Sequence, residues 1–278
     1  MDLQKEQVDD AVIRTRLNSK KTASILFPLL TLVAVVLTVC TGAFLRTPQN
    51  RFIIIRVDDI QDFAFRDAQL FLLKQSAETN VPLSLAVIAG MFGEDAEILE
   101  AVQLAVASGC EVGAHGWKHE NLTNLSMTEQ MNVLFQAKIR IKDLLGIDTQ
   151  LLIPPMFSFN TNTISAMHHE SYSIISTCID YDEPSVISGI TNIPATVELS
   201  SLVNDVWQMK SVDVISAEVE KSVELYGYAA IVTHPQEFLS NGQINQATSE
   251  SYMNLLAKLG EKYKFTTFEN LNLQNLQS

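Results

Sequence analysis

The chain has 278 residues, of which 47% are apolar and only 18% are charged. This balance supplies a core and argues against a disordered chain. The formal net charge of −13 repels phosphate backbones, so nucleic acid is not expected as a partner. Cys110 and Cys178 match no metal-binding spacing, and two buried free thiols are favoured over a disulfide.

An uncharged apolar run covers residues 22–45. As a helix rising about 1.5 Å per residue, it is long enough to cross a hydrocarbon core of about 30 Å. It exceeds the apolar core of a cleaved signal and lacks a clear small-residue cleavage site, so an uncleaved anchor is favoured. More Lys and Arg residues precede the run than follow it closely, which places residues 1–21 in the cytoplasm and 46–278 outside. The sequence therefore predicts a single-pass protein of the cell membrane.

From residue 47 onward, strand-like and helix-like patterns alternate. Short β-branched runs predict strands, and apolar residues at helical spacing predict helices. The predicted strands cover residues 52–57, 83–89, 110–115, 151–153, 172–179, 195–199, 229–233 and 263–268. The predicted helices cover residues 64–79, 95–107, 126–145, 161–170, 212–226 and 251–259. This alternation implies an α/β fold, a distorted (β/α) barrel of about seven parallel strands, preceded by one transmembrane helix.

Titratable side chains stand where predicted strands end. Asp58 and Asp59 follow the first strand, His115 and His119 follow the third, and His234 ends the seventh. In barrels of parallel strands, chemistry gathers at the C-terminal ends of the strands. One carboxylate and two imidazoles are a common ligand set for a catalytic zinc or related ion with open positions. The remaining carboxylate and histidine are then candidates for a general base and a general acid.

The motifs that carry these side chains, in their order along the chain, resemble those of the polysaccharide deacetylase, or NodB-homology, family over nearly all of residues 52–270. The resemblance rests on four segments, residues 56–59, 115–122, 153–157 and 231–235. It implies a barrel fold and a metal-dependent hydrolase that removes N-acetyl groups from an N-acetylated sugar or polysaccharide at the cell exterior. The expected partners are this carbohydrate substrate and the membrane.

The resemblance also implies roles for the residues at the strand ends. Asp58 would be the general base that takes a proton from the attacking water, and His234 the acid that protonates the departing amine. One divalent metal ion would be held by Asp59, His115 and His119. Zinc is the favoured ion, with cobalt, nickel, manganese and iron as alternatives.

The segment Pro155-Met156-Phe157 would contact the substrate by the same resemblance. A backbone N–H near Pro155, such as that of Met156, is a candidate donor to the tetrahedral oxyanion. The segment is apolar enough to allow an ester or a non-sugar amide as the substrate.

Two positions depart from the family's pattern. Ile153 stands where the third motif has an arginine that orients the base, and Arg56 stands two residues before Asp58. Because side chains alternate along a strand, Arg56 and Asp58 are expected on one face, and we predict that Arg56 replaces the missing arginine. The family also has a motif with an aspartate near a tryptophan that tunes the acid histidine, and this fourth motif is altered here, so Asp180, Asp182 or neither would support His234.

Two alternatives to the deacetylase remain open. One is a catalytically inactive module that binds carbohydrate or a partner on the same fold, favoured by the altered third and fourth motifs. The other is a metallohydrolase of an ester or a non-sugar amide.

Overall fold

The computed structural model describes residues 51–180, 182–203 and 206–271. These residues lie within one compact unit. None of the helices among them is long and apolar enough to cross a membrane. The predicted cytoplasmic tail and the predicted anchor, residues 1–21 and 22–45, lie outside the described residues.

Strands and helices alternate along most of the described chain. The helices are α1 (Arg66–Thr79), α2 (Ala96–Ala107), α3 (Met127–Leu145), α4 (Thr161–His169), α5 (Val212–Tyr226) and α6 (Gln246–Gly260). The strands are β1 (Phe52–Ile60), β2 (Leu83–Val87), β3 (Glu111–Ala114), β4 (Leu151–Leu152), β5 (Ile174–Ile175), β6 (Ser185–Ile187), β7 (Ile190–Asn192), β8 (Val197–Glu198), β9 (Ser200–Val203), β10 (Val206–Met209), β11 (Tyr228–Thr233), β12 (Leu239–Ser240), β13 (Gln243–Ile244) and β14 (Lys264–Thr266).

A ten-stranded sheet forms the centre, with its strands in the order β6-β7-β5-β4-β3-β2-β1-β11-β8 and with β14 paired to the start of β1. The pairs from β5 through β1 to β8 are parallel. This sheet forms a curved wall. A parallel bridge between Cys178, which follows β5, and Ala195, which precedes β8, links strands near the two ends of this sheet. The predicted α/β fold is therefore confirmed, and the predicted barrel of about seven parallel strands is a curled sheet of mostly parallel strands.

Apolar side chains fill both faces of the sheet, as expected for parallel strands covered by helices. The larger cluster packs the helices against the outside of the wall. A smaller cluster lies within the curve and includes Ile54, Ala86, Leu151, Ile153 and Ala230. Because side chains alternate along a strand, Ile54 on the inner face predicts that Arg56 and Asp58 also face inward.

Local signals in the sequence explain most helix ends. A capping box begins α3, since the backbone N–H of Glu129 donates to the Ser126 hydroxyl and the Ser126 N–H donates to the Glu129 carboxylate. Helix α6 begins five residues before the predicted start, at Gln246, because the Asn245 side chain accepts the N–H of Thr248. Cys110 and Cys178 are buried free thiols, as expected.

The stretch from 172 to 209 differs most from the sequence prediction. The strand predicted over 172–179 is regular only at Ile174–Ile175, and the predicted strand at 195–199 is reduced to Val197–Glu198. An unpredicted antiparallel hairpin, β9–β10, pairs Ser200 with Met209. These strands are too short for a periodic pattern to be read from the sequence.

A buried carboxylate ties the chain's last described segment to β3. Glu111 is 7% exposed and accepts the backbone N–H groups of Phe268 (3.0 Å) and Glu269 (2.8 Å). It also accepts the Ser84 hydroxyl at 2.7 Å. Burial raises the pKa of Glu111 to about 7, although these hydrogen bonds oppose the rise.

We expect Glu111→Ala to lower the free energy of unfolding by about 2–4 kcal/mol, because two buried N–H groups lose their acceptor. Urea unfolding measures this loss, and Glu100→Ala, on an exposed part of α2, is the matched control. A change below about 0.5 kcal/mol in Glu111→Ala would contradict the prediction.

The raised pKa of Glu111 also predicts how stability depends on pH. The folded protein holds this proton more tightly than the unfolded chain, so the contribution is present below the ordinary value of 4.5 and is lost as the pH rises through about 7. Across that window, wild type should lose about 3 kcal/mol relative to Glu111→Gln, which has no such proton. Urea unfolding of both proteins between pH 4.5 and 7.5 tests this, and parallel pH curves would contradict it.

Candidate metal centre and active site

Two adjacent carboxylates at the end of β1 both reach the site. The pairing register of β1 with β2 shifts between Val57 and Ile60, and Asp59 has φ +62°. A register irregularity of this kind lets neighbouring residues depart from strict alternation. Asp58 therefore contacts Arg56 on the inner face, while Asp59 turns toward His115 and His119.

Asp59, His115 and His119 form a compact cluster. The Asp59 Oδ1 atom lies 3.4 Å from His115 Nε2 and 3.3 Å from His119 Nε2, and the three ligand atoms all lie within 4.8 Å of one another. Ligand atoms about 2.0–2.1 Å from a tetrahedral ion stand roughly 3.3 Å apart, so this donor set fits a divalent metal of the zinc type. Burial raises the pKa of Asp59, but the hydrogen bonds with both imidazoles outweigh it and hold the pKa well below its usual range.

Second contacts fix the orientation of His115. Its Nδ1 atom lies 2.7 Å from the carbonyl oxygen of Ile153. A carbonyl oxygen only accepts, so Nδ1 carries a proton, and this contact turns Nε2 toward Asp59. Ile153 lies where the sequence lacks the expected arginine, and its backbone thus still serves the site.

The loop that carries His119 is held by Glu120. The Glu120 Oε2 atom accepts the backbone N–H groups of Trp117 (2.9 Å) and Lys118 (2.8 Å). Gly116 has φ +72°, and a Cβ atom there would lie 2.6 Å from the same oxygen. His119 has φ +61°, an uncommon conformation for a residue with a side chain. Such strain is found where the surrounding structure must place a functional side chain.

Arg56 and Asp58 form a fully buried ion pair. Arg56 Nε donates to Asp58 Oδ1 at 2.7 Å and Nη2 donates to Oδ2 at 2.5 Å, while Nη1 donates to the carbonyl oxygens of Ser176 and Thr177. Arg56 is 0% exposed and Asp58 is 2% exposed. Burial raises the pKa of Asp58, but the Arg56 charge outweighs it, so the pKa lies below its usual value. The predicted contact between these two residues is present.

The segment Pro155-Met156-Phe157 lies beside this pair. The Phe157 ring packs against the guanidinium of Arg56, with 5.1 Å between the Arg56 Cζ atom and the ring centroid. Pro155 is buried, whereas the Met156 side chain is 56% exposed. Phe157 thus has a clear structural contact with Arg56, and the predicted role of the segment in substrate binding stays a prediction.

His234 follows β11 and is held by Glu237, a residue that the sequence reasoning missed. His234 Nδ1 lies 2.9 Å from Glu237 Oε1. Burial lowers the pKa of His234, but the hydrogen bond with Glu237 and the Asp58 charge outweigh it and raise the pKa to about 8. The sequence signal for this contact was a glutamate three residues after the histidine, in a short turn that follows the strand, and this signal is weak by itself.

Asp180 and Asp182, the carboxylates that the sequence offered for His234, make no hydrogen bond to it within the described residues. Asp180 instead lines a cavity of about 190 Å³ with Cys178, Glu198 and Lys210.

Known proteins resemble this chain in sequence over part of its length and in fold over most of it. The family model described as polysaccharide deacetylase matches residues 46–175. Over these residues the chain is similar to the polysaccharide deacetylase family. This match covers the segments that carry Asp59, His115 and His119, whereas His234 lies beyond it.

A curated peptidoglycan deacetylase of Helicobacter pylori is 33% identical over 75 residues, which is 26% of either chain. The matched part thus spans about a quarter of that relative. A solved structure from Mycobacterium smegmatis, described as a polysaccharide deacetylase, superimposes with a TM-score of 0.64 at 16% identity and covers 84% of this chain and 93% of its own. A family 4 acetyl xylan esterase from Clostridium thermocellum, solved with a cobalt ion, gives 0.55 at 14% identity, covering 79% and 89%. Both structures support the fold.

Proposed function

We propose that this protein is a metal-dependent hydrolase that removes N-acetyl groups from an N-acetylated sugar polymer at the cell exterior. The cluster of Asp59, His115 and His119 beside buried Asp58 carries the proposal. The resemblance of one segment to a peptidoglycan deacetylase supports an N-acetylated envelope polymer as the substrate class. We further propose that residues 22–45 anchor the chain in the membrane.

The side chains of the site divide the reaction between them. A divalent ion held by Asp59, His115 and His119 would polarise the acetamide carbonyl, with zinc favoured over cobalt, nickel, manganese and iron. Asp58, kept ionised by Arg56, takes a proton from the attacking water while the water oxygen bonds to the carbonyl carbon.

The second half of the reaction needs an acid. His234 gives a proton from Nε2 to the departing nitrogen, the carbon–nitrogen bond breaks, and acetate and a free amine result. The Met156 N–H remains the candidate donor to the oxyanion.

Hydrolysis of a sugar acetyl ester is the second candidate. The exposed Met156 side chain beside the site, and the structural likeness to an acetyl xylan esterase, favour it. An ester's alcohol is a better leaving group than an amine, so this reaction depends less on the acid His234.

Acetate release separates these candidates. The purified, zinc- or cobalt-loaded chain is incubated with N-acetylglucosamine oligomers, peptidoglycan strands and acetylated xylan. We expect acetate and free amine from an N-acetylated substrate, with loss of release after chelation and in Asp58→Asn. Acetate from xylan alone would favour the esterase, and none from any substrate would favour a binding module.

A further inference from the structure

We propose that Glu237 is the positioning residue of His234, an inference that rests on the proposed deacetylase function. The His234 side chain is 27% exposed and that of Glu237 only 5%. The imidazole Nδ1 and the Glu237 Oε1 atom lie 2.9 Å apart, hydrogen-bond distance for a charge-assisted pair. Glu237 is thus a buried carboxylate in direct contact with the proposed acid.

The Glu237 carboxylate is itself fixed from behind. Its Oε2 atom accepts the hydroxyl of Ser200 at 2.7 Å and that of Thr233 at 3.0 Å. Ser200 and Thr233 are both almost fully buried, and the Glu237 backbone N–H donates to the His234 carbonyl at 3.1 Å. Three contacts therefore leave Oε1 as the oxygen that faces the imidazole.

This arrangement fixes which nitrogen of the His234 imidazole faces Glu237 and favours the protonated ring. An ionised carboxylate only accepts, so Nδ1 must carry a proton, and Nε2 is left to face the site. The protonated ring donates from both nitrogens, and Glu237 stabilises it. Asp58, Asp59 and Glu198 add negative charge around the ring, whereas His119 opposes it. A carboxylate that holds a histidine in this way has a large effect on turnover in hydrolases.

Glu237→Gln is the sharpest change, because it keeps the shape of the side chain but removes the negative charge that stabilises the protonated His234 ring. We expect about a 100-fold loss of amide hydrolysis. Hydrolysis of 4-nitrophenyl acetate should change less than about threefold, since its phenolate leaves without a proton. In a His234→Ala background, Glu237→Gln should cost nothing more, because the two residues act as one unit.

Asp180→Asn is the matched control, since Asp180 makes no hydrogen bond to His234 in the part of the chain described here. It should retain amide hydrolysis within about threefold of wild type. Equal losses on both substrates in Glu237→Gln would reveal a merely structural role and overturn the proposal. So would a loss in Asp180→Asn with Glu237→Gln intact.

A second readout does not depend on turnover. Titration of the His234 ring by NMR should give a pKa near 8 in the metal-free chain and a lower value in Glu237→Gln. An unchanged pKa would also overturn the proposal. If wild type released no acetate from any substrate, the proposed function would fail, and this titration would still decide whether Glu237 controls the ring.

Discussion

Replacing Arg56 with methionine should lower the free energy of unfolding by about 3–5 kcal/mol and reduce deacetylation at least 100-fold. The change leaves the Asp58 carboxylate buried without its partner. It also removes the donors to the Ser176 and Thr177 carbonyl oxygens and the cation packed on the Phe157 ring. An uncompensated buried charge is among the costliest defects a core can hold.

Three further variants separate charge, geometry and folding. Arg56→Lys keeps the charge but not the two-pronged contact, so it should fold and retain its metal affinity yet turn over at least tenfold more slowly. Arg56→Met/Asp58→Asn should regain part of the lost stability, since the orphaned charge is gone. Arg51→Met is the control for an exposed arginine near the start of the same strand and should change stability by less than about 0.5 kcal/mol. Wild-type turnover in Arg56→Lys and Arg56→Met would show that Arg56 has no part in catalysis.

Asp58→Asn and Asp59→Asn should both strongly reduce deacetylation, but by different routes. Asp58 contacts Arg56 and lies outside the ligand cluster, so its amide should leave metal binding intact and cost about 10²–10⁴-fold in turnover. Asp59 contributes an oxygen to the cluster, so its replacement should weaken metal binding at least about 100-fold. Even the loss of a residue that only hydrogen-bonds to a metal ligand lowers metal affinity about 10–100-fold.

Turnover measured against added zinc tells these two routes apart. Excess zinc should partly restore Asp59→Asn and should not restore Asp58→Asn. Asp67→Asn, on the exposed face of α1, is the control for a nearby carboxylate and should behave as wild type. Restoration of Asp58→Asn by zinc would exchange the roles assigned to the two aspartates.

The sequence predicted the parts of the fold that follow from local patterns. β1, β11 and α5 were recognised because a buried parallel strand or an amphipathic helix has a strong signature over six or more residues. The strand-end rule then placed Asp58, Asp59, His115 and His119 at one end of the wall, and the structure brings the last three together. Their distances could not be read from spacing, because they depend on left-handed residues at Asp59 and His119.

Contacts between distant segments escaped prediction. Glu111 accepts the N–H of Phe268 across 157 residues, and Ser200 reaches Glu237 from a hairpin with no readable pattern. Glu237 lies only three residues after His234, but its contact depends on a short turn whose geometry is set by packing. The Arg56 contact was predictable, because alternation along a single strand needs no knowledge of tertiary structure.

The metal content of the purified chain tests the central claim most directly. Wild type and Asp59→Ala/His119→Ala are stripped, incubated with zinc, cobalt or manganese, passed through a desalting column and analysed for bound metal per chain. The proposed centre predicts one tightly held divalent ion in wild type and none in the double variant. No ion in either protein, or an equal amount in both, would contradict a metal centre at Asp59, His115 and His119.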